Sequence, residues 1–385
     1  MMNVYLDNNA TTRVAPEVLE AMLPYFKDEY GNPSSMHSVG GRVKKEIEAA
    51  RAKVAELIGA DPQEIVFTSC GTESDNTAIR GALEASSGKK HIITSRVEHP
   101  AVLSTVRYLE KRGYSLTELP VDRQGMIDMS EYEAAFREDT GLVSIMWANN
   151  ETGVIFPIHE MAEIARGKGV VFHTDAVQAA GKLKIDMKDT PADLLSISGH
   201  KLHAPKGIGV LYVRRGTPMT PFMLGGHQES GRRAGTENVP YIVGLGRAAE
   251  LAIAGMAEEN TRIKSLRDKL EKALLEKCPD AMLNGHPEHR LPNTTNISFE
   301  FVEGEAILLM LNREGIAASS GSACTSGSLE PSHVMRAMGV PFTAAHGSIR
   351  FSLSRYNEEP EMDYVAEKLP PIIKRLRELS PFVKK

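Results

Sequence analysis

Between residues 64 and 213 the chain repeats one local pattern: a short apolar run closed by polar residues, with helical stretches between most of the runs. The runs are EIVFTS (64–69), HIITS (91–95), LVSIMWA (142–148), GVVFHTD (169–175), DLLSIS (193–198) and GIGVLYV (207–213). Apolar runs that alternate with helical patterns predict βαβ units and a largely parallel sheet. Ahead of them, Val43, Ile47, Ala50, Val54 and Leu57 recur at spacings of four and three, which predicts one face of a long helix that Gly59 stops. Several runs end in polar residues: Thr68–Ser69, Asn149–Asn150, Asp175 and Ser198. Ligands of open α/β sheets bind beyond the carboxyl ends of the strands, so the chemistry is expected at these positions.

The pattern changes near residue 256. A charged helix (260–277) leads to a strand-like TTNISF (294–299), a helix (306–315), a strand GSIRFSL (347–353) and a last helix running towards Lys385. This reads as a smaller α+β domain formed by residues 1–14 and 256–385, set beside a large domain of residues 15–255. A length of 385 residues suits two domains. A net charge of −5, with no block of like charges, argues against a nucleic-acid partner. No apolar run approaches the ~20 residues that span a bilayer, and MMNVYLDNNATTRVAPE lacks the features of a signal peptide, so a cytoplasmic location is expected. Three widely separated cysteines, Cys70, Cys278 and Cys324, argue against a disulfide framework or a metal-ligand pair.

Two stretches stand out as chemical. SSGSACTSG (319–327) presents Cys324 on a run of serine, glycine and alanine, with no apolar neighbour to pack against. It is either an inert connector or a thiol held out to react, since glycine and serine leave the backbone free to move. In SISGHKLHAPKGIGVLYV (196–213), Lys201 follows an expected buried strand and a polar Ser-Gly-His. That is either a surface lysine or the kind of lysine that binds pyridoxal phosphate, which also needs a carboxylate for its ring nitrogen and small polar groups for its phosphate. Asp175 ends a strand and suits the first need, or else caps a helix starting at Ala176. TSCGTESDN (68–76) runs from a strand end through Gly71–Thr72 into a helix. It suits an anion, or is a plain turn capped by Thr72.

These residues carry a resemblance. YLDNNATT (5–12), YGNPSSMH (30–37), TSCGTESDN, VEHPAVL (97–103), WANNETG (147–153), HTDAVQAAGK (173–182), SGHKLHAPKGIGVLY, GGHQESGRRAGTEN (225–238), SSGSACTSGSLEPSHVMRAMG (319–339) and HGSIRFSLSR (346–355) run in order over essentially the whole chain. Together they resemble the cysteine desulfurases of the NifS/IscS type, in the class V aminotransferase fold group, with the nitrogen-fixation branch most similar. The resemblance implies a fold type I, α/β architecture: a mainly parallel seven-stranded sheet in the large domain and a smaller α+β domain. It implies pyridoxal 5'-phosphate as cofactor and L-cysteine as substrate.

Residue by residue, it implies that Lys201 binds the cofactor covalently and moves the α-proton. Asp175 pairs with the ring nitrogen, Gln178 with the phenolic oxygen, and His99 stacks on the ring. Gly71, Thr72, Ser198 and His200 resemble phosphate ligands. Thr236 resembles the threonine that reaches the phosphate of the other subunit of a homodimer. Asn150 and Arg350 resemble the pair that holds the substrate carboxylate; Arg350 is physically apt because its planar fork grips a carboxylate twice. Cys324 resembles the thiol that takes sulfur as a persulfide, and it would serve transiently as an iron–sulfur ligand with a scaffold protein of the NifU/IscU kind. His99 or the substrate itself are candidates for activating that thiol. Cys70 is read as packing. The rival readings are a desulfurase for housekeeping clusters or tRNA thiolation, a selenocysteine lyase, an aminotransferase, and a non-catalytic cluster scaffold.

Overall fold

The computed structural model describes residues 2–86, 88–320 and 331–380; the stretch around Cys324 therefore lies outside the described residues, as does the end of the chain. The strands in chain order are β1 (Val4–Tyr5), β2 (Ile65–Thr68), β3 (His91–Ser95), β4 (Ser115–Leu119), β5 (Thr140–Ser144), β6 (Val171–Asp175), β7 (Leu194–Ser198), β8 (Gly209–Val213), β9 (Ala281–Leu283), β10 (Thr294–Phe299), β11 (Ile316–Ala317) and β12 (Ser348–Ser352). Seven of them form one sheet in the order β2-β8-β7-β6-β5-β3-β4. β8 runs antiparallel to both its neighbours, and the other pairings are parallel. Every residue of β2, β3, β5, β7 and β8 is buried, as a sheet covered on both faces requires.

All six expected strands of the first half are present. β4 was not expected. Its sequence, SLTEL, mixes polar with apolar residues, and it is an edge strand whose first four residues are only half-buried. The run LVSIMWA also stops being strand at Ser144, because the backbone beyond it turns to other partners. Met146 N–H donates to Glu98 at 3.0 Å, and Trp147 N–H donates to the Asp175 carbonyl at 2.8 Å. The long helix covers Ser38–Leu57 and buries Val43, Ile47, Ala50, Val54 and Leu57. Gly59 follows it at φ +63°, a conformation glycine adopts without strain.

The three-stranded sheet β12-β10-β9 is antiparallel, and β1 pairs in parallel with β11. Val4 and Leu6, at the start of the chain, pack with Ile263, Leu270, Ile297, Phe351 and Met362 in a core separate from that of the large sheet. Val334, Met335 and Met338 pack instead into the large-sheet core, although they follow the smaller sheet's β10 in sequence. The two parts are joined by continuous helix: Val239–Glu258 passes through one π-helical stretch, Glu259–Ile263, into Lys264–Lys277. The sequence gives no sign of that π turn, since it contains neither Gly nor Pro. This joined helix is the one span among the described residues that is long and apolar enough to cross a membrane. Its first part buries Ile242, Leu245, Ala248 and Ala249 in the large-sheet core, the behaviour of an internal helix.

Next to this core, Arg51 grips Glu229 through two 2.8 Å contacts, both groups being buried. Glu229 stands at φ +48° and also accepts from Phe67 N–H at 2.9 Å. Removing Glu229 leaves the buried Arg51 charge with only the exposed Glu48, at 3.3 Å, as counter-charge. Glu229→Ala is therefore expected to cost about 3–5 kcal/mol of folding stability, read as a lowered urea midpoint.

Candidate active site

One cleft of about 210 Å³ gathers the carboxyl ends of three parallel strands. It is lined by Asn9, Gly71, Thr72, Asp75, His99, Asn150, Asp175, Gln178, Ser198, His200, Lys201 and Arg350, among others. Asp175 and Ser198 are the last residues of β6 and β7, and Gly71 follows β2 by three residues. Ten of the eleven site residues expected from the sequence within described regions thus line this cleft, with Thr236 the exception among them. Thr236 is exposed and does not line the cleft.

Lys201 ends a short 3-10 turn, Gly199–Lys201, directly after β7. Its Nζ donates to the carbonyl of Asn9 and, at 2.7 Å, to that of Ala10. Gln178 donates through Nε2 to the same Asn9 carbonyl at 3.0 Å, while its buried Oε1 has no hydrogen-bond partner. The turn after β1 therefore serves as a backbone anchor for both side chains, which no motif at residues 9–10 announced.

Asp175 does not cap a helix at Ala176; its Oδ1 accepts from Val177 N–H at 2.9 Å across a turn. Burial raises its pKa above the usual carboxylate range, and His99 and Lys201 pull the other way. His99 caps the helix Pro100–Glu110, with Nδ1 accepting from Ala101 N–H at 3.1 Å. An acceptor Nδ1 puts the ring proton of the neutral imidazole on Nε2. Burial lowers the pKa of His99 and brings that of His200 down to about 4, so both rings are neutral near pH 7. In this arrangement His99 offers a thiol a hydrogen-bond donor rather than a base.

The turn before the helix Gly71–Ala85 departs from expectation: the cap is Cys70, not Thr72. The Cys70 sulfur accepts from Glu73 N–H at 3.4 Å, and the residue lines the cleft rather than packing in a core. Glu73 is held by Ser69 N–H at 2.8 Å and by Arg233 at 2.9 Å, which ties the GRRAGTEN segment to the first turn of this helix.

The donor set fits pyridoxal phosphate. The helix start supplies backbone N–H groups and a positive dipole end for a phosphate. The unpartnered Gln178 Oε1 and the Asp175 carboxyl face the same space as the Lys201 amine. Gly71 leaves the room that this needs, since a Cβ there would lie 2.9 Å from Val177 Cγ2 and 3.3 Å from Ser198 Cβ. Overpacking of that kind costs ~1–3 kcal/mol. Gly71→Ala is accordingly expected to weaken cofactor retention by about tenfold or more, measured by equilibrium dialysis.

At the other end of the cleft, Arg350 is 2% exposed on β12. Its Nη2 donates to Asp7 at 2.7 Å and its Nη1 to the Asn150 carbonyl at 2.9 Å, leaving Nε without a partner. Asp7 is a site residue that the sequence reading missed. The signal available was YLDNNATT itself, where Asp7 stands two residues from the Asn9 anchor. The Arg350 backbone pairs with Ser319, N–H to carbonyl at 2.7 Å, so the start of SSGSACTSG is fixed at this end of the cleft. Beyond residue 330, Ser332 donates to Glu151 at 2.5 Å and the His333 Nε2 meets the Glu98 carbonyl at 2.9 Å, next to His99. Cys324, the expected nucleophile, lies between these two anchors and outside the described residues.

Comparisons with known proteins agree with this geometry. The aminotransferase class-V family model matches residues 4–365. The cysteine desulfurase NifS of Azotobacter vinelandii is 59% identical over 383 residues, covering 99% of this chain and 95% of that protein. A cysteine desulfurase of Trichormus azollae is 60% identical over 382 residues, covering 99% and 96%. Among solved structures, a NifS-like protein superposes with a TM-score of 0.92 at 42% identity, over 97% of this chain and 100% of its own. The family is pyridoxal-phosphate-dependent with the fold type I architecture expected above. With its matched length, its sheet order and its lysine beside β7, this chain belongs to the aminotransferase class-V family.

Proposed function

We propose that the protein is a cysteine desulfurase: it removes sulfur from L-cysteine, leaves L-alanine, and holds the sulfur as a persulfide on Cys324. The observation that carries this reading is the pairing of Ser319 with Arg350. It fixes Ser319, the first residue of a serine-glycine segment whose sequence carries a thiol five residues on, beside Arg350 of the cleft. An aminotransferase has no use for that thiol. The near-60% identity to cysteine desulfurases over the full chain supports the same activity.

Pyridoxal phosphate, when bound, supplies an electron sink for charge that develops at the substrate α-carbon. The residues divide the remaining work. Lys201 Nζ would hold the cofactor and is the amine placed to move the α-proton. Asp175 would keep the ring nitrogen protonated, and Gln178 would meet the phenolic oxygen. Gly71, Thr72, Ser198 and His200 would hold the phosphate, and His99 would stack on the ring. Asn150 and Arg350 receive the substrate carboxylate; the unpartnered Nε of Arg350 is a donor not yet committed. The Cys324 thiolate then forms a bond to the substrate sulfur as the carbon–sulfur bond breaks, and a returning proton completes L-alanine.

Thr236, exposed and not among the residues lining its own cleft, serves the cleft of a second copy in a homodimer. The sulfur goes to an iron–sulfur scaffold protein of the NifU/IscU kind in the cytoplasm, with nitrogenase clusters as the destination. Supplying L-cysteine with a reductant and measuring alanine and sulfide tests the reading. Equal amounts of both products support it, whereas pyruvate or an amino-group acceptor requirement would overturn it. L-Selenocysteine consumed far faster than L-cysteine would favour the lyase alternative.

A further inference from the structure

Asp75 is absent from every role above, yet it is the most deeply buried acid of the cleft. It sits one turn into the helix Gly71–Ala85, is 1% exposed, and its Oδ1 has no hydrogen-bond partner. Asp75, His99 and Asp175 each place a polar atom within 4.8 Å of the others. Ser196, on β7, lies beside the Asp75 carboxyl and favours its ionised form, against the larger effect of burial. The His173 Nε2 stands 3.6 Å from Oδ1, but that ring is occupied by Ser196 at 3.0 Å and by Ser144 at 2.8 Å. Burial brings the pKa of His173 down to about 3, so it contributes no positive charge. The other titratable groups facing Asp75 are Glu98 and Cys70, both acids. Burial first, and Asp175 second, hold the Asp75 carboxyl well above the usual carboxylate range. Two desolvated carboxyl groups this close do not both ionise without a cation between them.

We propose that Asp75 is a positioning residue for the cofactor ring: with Asp175 it forms a carboxyl pair that keeps one proton until a cationic ring nitrogen enters, and then gives that proton up. This rests on the reading that Asp175 meets the ring nitrogen. The step balances as one O–H bond broken on the pair, with the proton passing to the ring nitrogen or to solvent and no electron transferred. It makes cofactor loading and the charge of the cleft a single coupled event, because a cation that lowers the proton affinity of the pair is itself bound more tightly by the deprotonated pair.

The test is titration calorimetry of cofactor-free wild type and Asp75→Asn with pyridoxal phosphate, at mildly alkaline pH in two buffers of different ionisation enthalpy. Wild type is expected to take up about one proton fewer per site than Asp75→Asn. Equal proton counts would overturn the proposal. A wild-type protein that binds no cofactor, or shows no absorbance of the lysine-linked form, would instead overturn the parent reading.

Stability of the cofactor-free protein gives a second readout. Asp75 has a proton affinity raised by folding, so its stabilising effect is complete at low pH and is lost as pH rises through its folded-state value. Asp75→Asn is thus expected to gain on wild type in melting temperature as pH rises above the ordinary carboxylate range. A pH-independent difference would contradict the shared proton. Should Asp75→Asn fail to fold, difference infrared spectroscopy on wild type decides. Loading should bleach a carboxylic-acid C=O band, the bleach should survive in Glu98→Gln, and no bleach would overturn the proposal.

Discussion

Lys201→Ala is expected to lose the visible absorbance of lysine-linked cofactor and at least ~10³-fold of the desulfuration rate. The amine is supplied by one residue at a fixed place: the turn Gly199–Lys201 puts Nζ against the Asn9 and Ala10 carbonyls, in the same cleft as Asp175. No other lysine among the described residues lines that cleft. The fold is expected to survive the change, because the backbone of the turn is held independently: Gly199 N–H donates to Ile208 at 2.9 Å and Leu202 N–H to Gly199 at 2.9 Å. The phosphate contacts proposed for Gly71, Thr72, Ser198 and His200 are untouched by the change, so the variant should still retain cofactor, released by dialysis more readily than from wild type. Circular dichroism, absorbance and an alanine assay on one preparation check all three statements. A variant that keeps the lysine-linked absorbance would mean that another amine reaches the cleft.

Cys324→Ala should have the complementary phenotype: normal cofactor absorbance, with alanine formation from L-cysteine reduced by about 10³-fold or more. The two remaining thiols are poorly placed to substitute. Cys278 is 2% exposed in the smaller core, and burial pushes its pKa to about 11, which keeps it protonated. Cys70 does line the cleft, but its sulfur is occupied by Glu73 N–H at the start of the helix Gly71–Ala85, where the cofactor phosphate is proposed to bind. Residual turnover that disappears on Cys70→Ala in the Cys324→Ala background would show that this reasoning underrates Cys70.

Much of this was legible in the sequence, and the reasons are local. Six apolar runs became strands because continuous apolar segments fit only a sheet covered on both faces, and Asp175 and Ser198 fell at the cleft because they close such runs. β4 escaped because an edge strand has no need for a continuous apolar sequence. The anchoring roles of Asn9 and Ala10 escaped for another reason: they act through carbonyl oxygens, which leave no mark on residue type. Asp7 and Asp75 lay in plain view inside YLDNNATT and TSCGTESDN. Their significance comes from what faces them across the fold, Arg350 from β12 and Asp175 from β6, and no spacing along the chain encodes those meetings. The cap at Cys70 was missed because a thiol is a rarer cap than the threonine two residues on.

The central claim, that sulfur from L-cysteine comes to rest on Cys324, is tested most directly by intact-mass and peptide-mass analysis after L-cysteine is added without reductant. The predicted result is one added sulfur atom per chain, on the peptide containing Cys324, formed together with one equivalent of alanine. Alanine released with no added sulfur there, or with the sulfur found on Cys70 or Cys278, would contradict it.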